Sequence, residues 1–150
     1  MELGLISDTH GLLRPEALAA LRGSALILHA GDIGTPEVLR ELETLAPVAA
    51  VRGNNDVAAW AARLPERTIV DAGGLRLLLL HDRAALEPEA GAGVHAIISG
   101  HSHRPSIEER NGVLFINPGS AGPRRFRLPI ALARARIRAG RIEARIVNLA

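Results

Sequence analysis

The chain has 150 residues, 47% of them hydrophobic, which suits one packed domain spanning 1–150 and argues against disorder. Its 18 basic residues are all arginine and face 16 acidic ones, so the net charge is only +2. The pI of about 10.8 reflects missing lysine, tyrosine and cysteine rather than a strong positive field. Three aromatics (Trp60, Phe115 and Phe126) cannot build a base-stacking platform, and the absence of cysteine excludes disulfides and thiolate metal sites.

Residues 3–6 form a short apolar run that ends in Ser7-Asp8-Thr9-His10-Gly11. Arg14-Pro15-Glu16 then opens a helix to about Leu21, since proline suits the first helical position and an acid suits the helix dipole there. Residues 25–28 read as a strand running into His29-Ala30-Gly31-Asp32. Thr35-Pro36-Glu37 repeats the helix-start signal, with Thr35 expected as N-cap and the helix reaching about Leu45. A third strand, 48–51, ends in Arg52-Gly53-Asn54-Asn55-Asp56. Strand, helix, strand, helix, strand predicts parallel βαβ pairing.

The second half changes character. Residues 68–70 and 75–80 read as two strands joined at Gly73-Gly74, the latter ending at His81-Asp82. A weak helical stretch around 84–90 leads to a strand at 94–98, which ends in Ser99-Gly100-His101-Ser102-His103. Residues 106–110 and 113–116 flank Asn111-Gly112, a strong hairpin signal. After a loop at 117–127, residues 129–138 and 141–147 alternate apolar residues with arginine around Ala139-Gly140, as a half-exposed sheet would. Gly91-Ala92-Gly93 lacks the third glycine of a dinucleotide fingerprint. No apolar run reaches the ~18 residues of a membrane span. Asp8 and His10 also lie inside the stretch a cleavable signal would occupy, so a cytoplasmic protein is expected.

Asp8, His10, Asp32, Asn54, His81, His101 and His103 therefore follow five separate strand ends. In extended backbone, residues two apart project to the same side, so Asp8-Thr9-His10 and His101-Ser102-His103 each aim two ligands together. Gly31, Gly53 and Gly100 precede ligands and are expected to let the chain turn. Nitrogen and oxygen donors favour Mn, Fe, Co, Ni or Zn over thiophilic metals without choosing among them; Mn is taken as the expected ion, with Mg another option. Each piece alone has a blander reading: a loop carboxylate more often caps a turn, and a strand-end histidine is more often simply satisfied. Order and position together decide for a metal site. His29 lies within a strand and His95 precedes one, so neither joins the set.

Asp8-x-His10, Gly31-Asp32, Gly53-Asn54-Asn55-Asp56, strand-end His81 and Gly100-His101-Ser102-His103 together resemble the calcineurin-like metallophosphoesterase superfamily. Gly-His-Ser-His-Arg-Pro at 100–105 and Asn117-Pro118-Gly119-Ser120 resemble its compact bacterial and archaeal phosphodiesterase branch. The resemblance spans Asp8 to about Arg124. It implies an α/β fold, a four-layer αββα sandwich of two mixed β-sheets flanked by helices. It also implies two divalent metal ions: Asp8, His10, Asp32 and His103 for one, and Asp32, Asn54, His81 and His101 for the other. A hydroxide between them would attack a small phosphate-ester substrate.

Where many members carry a histidine able to protonate the leaving oxygen, this chain has Asn55, which can only hydrogen-bond to a leaving group or phosphate. Arg124, after the 117–120 loop, is a candidate phosphate contact, although a solvated surface arginine is the commoner case. Small members often pair, so a homodimer is an open expectation. The same fold also serves as a non-catalytic protein-interaction scaffold, for example in the retromer coat; the intact ligand set favours the enzyme. The small net charge and few aromatics make nucleic acid an unlikely partner.

Overall fold

A computed structural model describes residues 1–87 and 93–149. Two five-stranded mixed sheets form the frame. The first has the order β10-β9-β1-β2-β3, built from β1 (Glu2–Ile6), β2 (Leu26–His29), β3 (Val48–Ala50), β9 (Ala131–Arg138) and β10 (Arg141–Asn148). The second has the order β4-β5-β6-β8-β7, from β4 (Arg67–Ala72), β5 (Leu75–Leu80), β6 (Ala96–Ile98), β7 (Ser106–Arg110) and β8 (Val113–Asn117). Pairing is parallel for β1·β2, β2·β3, β5·β6 and β6·β8, and antiparallel for the hairpins.

Three apolar layers separate the elements. Leu3, Leu5 and Leu28 of the first sheet meet Leu77, Leu79 and Ile98 of the second. On the outer side of the first sheet, helix α1 (Pro15–Leu21) and helix α2 (Pro36–Glu43) bury Ala17, Leu21, Val38 and Leu42 against Ile6, Ile27 and Leu132. The outer face of the second sheet buries Leu78, Leu80 and Ile97 under Val94 and Leu86. Among the described residues that fourth layer holds only a 3₁₀ turn, Arg83–Ala85. The remainder of the helical stretch expected at 84–90, and most of Gly91-Ala92-Gly93, lie outside the described residues.

All three expected two-residue hairpins form, and each has positive φ at both loop positions: 55° and 82° at Gly73-Gly74, 51° and 79° at Asn111-Gly112, and 54° and 74° at Ala139-Gly140. That pattern fits a type I′ turn, whose twist matches the strands it joins. Both α helices begin at the predicted prolines, but Thr35 makes no side-chain cap bond, and α2 stops at Glu43. A 3₁₀ helix, Ala59–Arg63, was not legible in the alanine-rich sequence that forms it. No helix among the described residues is long and apolar enough to cross a membrane.

Candidate metal centre

Parallel strands end at a common edge, so Asp8, Asp32, Asn54, His81 and His101 arrive together from the carboxyl ends of β1, β2, β3, β5 and β6. The structure brings all seven predicted ligands into one connected group. Asp8 Oδ1 lies 3.4 Å from His103 Nε2, 3.8 Å from His10 Nε2 and 3.9 Å from His81 Nε2. Asp32 Oδ2 lies 3.3 Å from His81 Nε2 and 3.8 Å from His10 Nε2. His101 Nδ1 is 3.3 Å from His81 Nε2 and 3.2 Å from Asn54 Oδ1. Asp8, His10 and His103 form one compact donor set; Asp8, Asp32 and His81 form another. Asp8 belongs to both sets, and Asp32 Oδ2 likewise reaches His10 on one side and His81 on the other.

The backbone reaches this arrangement by a route the sequence reading did not anticipate. Asp8, His10, Asp32, His101 and His103 all have positive φ, between 46° and 70°. The ligands of both x-x pairs are therefore in left-handed, not extended, backbone, and the alternation rule does not explain why they converge. Asp and His tolerate this region better than most residues, though each such residue costs roughly 1–3 kcal/mol. Backbone bonds hold it: Asp8 N donates to Gly31 O (3.0 Å), His10 N to Asp32 O (2.9 Å) and Gly11 N to Ile33 O (2.8 Å). Only Gly31 turns as expected, with φ of +102°. Gly53 and Gly100 have ordinary φ and serve close approach instead. A Cβ on Gly53 would strike the Asp32 side chain, and one on Gly100 would lie 2.6 Å from Asp8 Oδ2 and strike Ser7 Oγ.

Surrounding polar groups fix each ligand. Ser7 Oγ (2.7 Å) and His101 N (3.0 Å) donate to Asp8 Oδ2, leaving Oδ1 to the imidazoles. His81 Nδ1 donates to Ala30 O at 2.8 Å, which turns Nε2 toward the carboxylates, where it donates to Asp32 when protonated and offers a lone pair to a cation when not. Asp56 anchors the 53–56 loop by accepting from Ile33 N, Gly34 N and Gly53 N at 3.1, 3.1 and 2.9 Å. Asn117 Nδ2 donates to Gly100 O (3.0 Å) and Ser102 Oγ (3.1 Å), while Ser120 Oγ donates to Asp8 O (2.9 Å). Asp56 and Asn117 stand within the motifs read from the sequence, but nothing local revealed contacts 15 to 23 residues away.

Asn55 and Arg124 take up distinct positions. Asn55 N donates to Asp32 Oδ1 (2.9 Å) and Asn55 Nδ2 donates to Asp32 Oδ2 (3.0 Å), a two-point clamp on the carboxylate. Arg124 is exposed, with Nη1 donating to Leu128 O at 3.5 Å; it is the Arg125 charge that acts on His103. His29, excluded from the ligand set, accepts from Gly31 N at Nδ1 (3.1 Å), and its Nε2 meets Thr9 Oγ1 at 3.0 Å. His95 accepts from Arg76 N, away from the centre.

Electrostatics suit a cation. Burial would raise the Asp32 carboxyl, but the His81 hydrogen bond, the Asn55 N–H and the nearby imidazoles outweigh it and hold the pKa well below the usual range. Burial lowers His103, assisted by Arg125 and His10 against the pull of Asp8, so its ring is neutral at pH 7. Burial also acts to lower His81, yet Asp32 and Asp8 raise it overall. Three buried atoms have no hydrogen-bond partner among the described residues: Asp8 Oδ1, His10 Nε2 and His103 Nδ1. Unpaired buried polar atoms are costly, and carboxylate oxygens and imidazole nitrogens gathered 3.3–3.9 Å apart are the kind of oxygen-and-nitrogen donor set that divalent ions take.

Residues 1–140 match the model of the calcineurin-like phosphoesterase superfamily domain. The chain belongs to that superfamily. A probable metallophosphoesterase of Methanothermobacter thermautotrophicus is 38% identical, with 99% of this chain and 92% of that protein aligned. A phosphodiesterase of Methanocaldococcus jannaschii is 31% identical over 79% of this chain and 83% of its own length. The zinc complex of Vps29 from Entamoeba histolytica shares the fold of this calcineurin-like chain, with TM-score 0.73, 22% identity and full coverage of both.

Proposed function

We propose that this calcineurin-like chain is a metal-dependent phosphodiesterase that uses two divalent cations, with Mn the expected metal. The observation that carries the reading is Asp8 Oδ1, a buried carboxylate oxygen with no hydrogen bond among the described residues and three imidazole nitrogens within 3.9 Å. Asp8, His10, Asp32 and His103 would hold one ion, and Asp32, Asn54, His81 and His101 the other. When bound, such a pair lowers the pKa of water and offsets charge on the phosphoryl oxygens. Asp32 and Asp8 supply the negative charge, the Nδ1–H bond of His81 points its Nε2 inward, and Asn55 fixes the Asp32 plane. The likeness to a phosphodiesterase supports the diester assignment. A shared fold does not by itself make an enzyme; the ligand set carries the case.

Asn55 cannot supply a proton at neutral pH, and its amide hydrogen already reaches Asp32. Leaving groups that need little protonation are therefore favoured, since general-acid help is typically worth about 10²–10⁴-fold. The test is metal-stripped protein titrated with Mn and assayed on bis(4-nitrophenyl) phosphate. Turnover should track about two equivalents of metal, and Asn54→Ala or His81→Ala should abolish it while the circular dichroism spectrum is kept. A chain that binds no metal and hydrolyses nothing would instead be an interaction module of the same fold.

A further inference from the structure

Strand β10 is an open edge of the first sheet. It pairs with β9 without a break from Arg141 to Asn148, so no bulge twists the edge away, and no proline blocks it. Ile137 N donates to Met1 O, so the odd-numbered residues of β9 bond toward β1 and the even-numbered ones toward β10. Their partners Arg141, Glu143, Arg145 and Val147 therefore bond inward, as Leu149 N does to Ile130 O. The N–H and C=O groups of Ile142, Ala144 and Ile146 point out of the sheet, and among the described residues no other backbone group meets them.

The side chains leave this edge unguarded as well. Ile142, Ala144 and Ile146 are partly buried at the rim of the core between the sheets, where an inward-pointing charge would have discouraged pairing. Glu143 and Arg145 are exposed on the other face. Arg145 stands opposite Arg134, a like-charge pair, and Glu143 stands opposite Arg136, which is already bonded to Glu2 through Nε and Nη2. Among the described residues neither Glu143 nor Arg145 makes an ion pair. The other edges offer less. Strands β3 and β7 have three and five residues against eight in β10, and on β4 Arg67 is paired with Glu87 and Asp71 with Arg76.

We infer that β10 pairs antiparallel with β10 of a second copy about a two-fold axis through Ala144, joining the two first sheets into one. Opposite residues share their hydrogen-bonding role in such a ladder, so the axis must pass through a residue. Through Ala144 it sets Glu143 of each copy against Arg145 of the other and Ile142 against Ile146, while the Ala144 residues exchange N–H···O=C bonds. Through Glu143 it would oppose Glu143 to itself and Arg141 to Arg145; through Arg145 it would oppose Arg145 to itself, and like charges directly opposite are destabilising. An axis through Ile142 pairs residues 141–143 alone, and one through Ile146 leaves Glu143 beyond the overlap. No metal ligand lies on β10, so the pairing is independent of the phosphodiesterase reading.

Sedimentation equilibrium over a dilution series tests this. The parent chain should reach about twice 15.9 kDa. Glu143→Arg and Arg145→Glu each place two like-charge pairs at the joint, so each should weaken association by about tenfold or more. Both positions are exposed, and the circular dichroism spectra should be unchanged. Mixed in equal amounts, the two variants face each other with opposite charges and should associate as the parent does. Ala144→Pro, which removes only an outward N–H, should also give monomer. A parent chain that stays at 15.9 kDa, or whose association neither charge variant alters, overturns the inference. Folded variants that separate but do not recombine on mixing overturn it too.

Discussion

His29 ties the stability of the site's scaffold to pH in a way that can be measured. It is fully buried between the strand ends carrying Asp8 and Asp32, and burial pushes its pKa down from 6.5 to about 3 despite attraction from Asp56 and Asp32. Gly31 N–H must donate to Nδ1, so the ring is neutral with its proton on Nε2, toward Thr9. A group whose folded pKa is depressed contributes stability that is complete above the unfolded pKa and is lost as pH falls toward the folded one. The window therefore runs from 6.5 down to about 3. At about 1.4 kcal/mol per pH unit the total loss approaches about 5 kcal/mol, of which about 2 kcal/mol is gone by pH 5.

His29→Asn retains an acceptor near Gly31 N–H and does not titrate. At pH 7.5 it should cost about 1–3 kcal/mol for the lost Thr9 contact. Urea melts of the metal-free protein at pH 7.5 and pH 5 should then show the gap narrowing by about 2 kcal/mol, since only the parent chain loses the His29 contribution. The comparison is made as a difference because His81, whose pKa is raised, contributes in the opposite sense: its stabilisation is present below 6.5 and fades above. Parallel loss of stability in both chains would refute the argument that His29 stays neutral in the fold.

Other consequences follow from the same geometry. Gly100→Ala should remove Mn binding and cost about 1–3 kcal/mol, because its Cβ would press on Ser7 and Asp8, both wholly buried; metal titration and thermal melts check both. Asn55→Ala should weaken Mn affinity by roughly 10-fold or more through loss of the side-chain half of the Asp32 clamp, and Asn55→Gln should not restore it; unchanged affinity would mean that the clamp does not position the ligand. With His81 raised by Asp32 and Asp8, protons compete for Nε2 from above 6.5 downward, so apparent Mn affinity should fall by up to about tenfold per pH unit as pH drops through that range and level off only well above 6.5; a flat profile in calorimetry would count against His81 as a ligand. An alkyl nitrophenyl diester and a dialkyl diester should differ in turnover by at least about 10²-fold, and equal rates would show that a proton donor other than Asn55 serves the leaving group.

Much of the fold was legible because its signals are local. Proline at the first position of α1 and α2, the two-residue turns at 73–74, 111–112 and 139–140, and the buried run of β5 each follow from the chemistry of adjacent residues. The ligand list was legible for the same reason: each strand ends where a ligand begins, and parallel strands must end on one side. What neighbours in sequence could not specify was how the chain meets that edge. Left-handed backbone at Asp8, His10, Asp32, His101 and His103 is held by partners 23 and 22 residues away for the first two, so no rule about alternating side chains could forecast it. Gly53 and Gly100 read as turns until the packing showed what a methyl group would displace.

Asn55 shows the division most clearly. The sequence by itself determined that position 55 holds no acid-base group, since an amide does not titrate. Only the tertiary structure decided where the amide points, because the 53–56 loop is set by Asp56 bonding to Ile33 and Gly34, and that anchoring carries Asn55 onto Asp32. Residue identity fixes which charges and protons are available, whereas long-range packing fixes their distances, and a cation site depends on both.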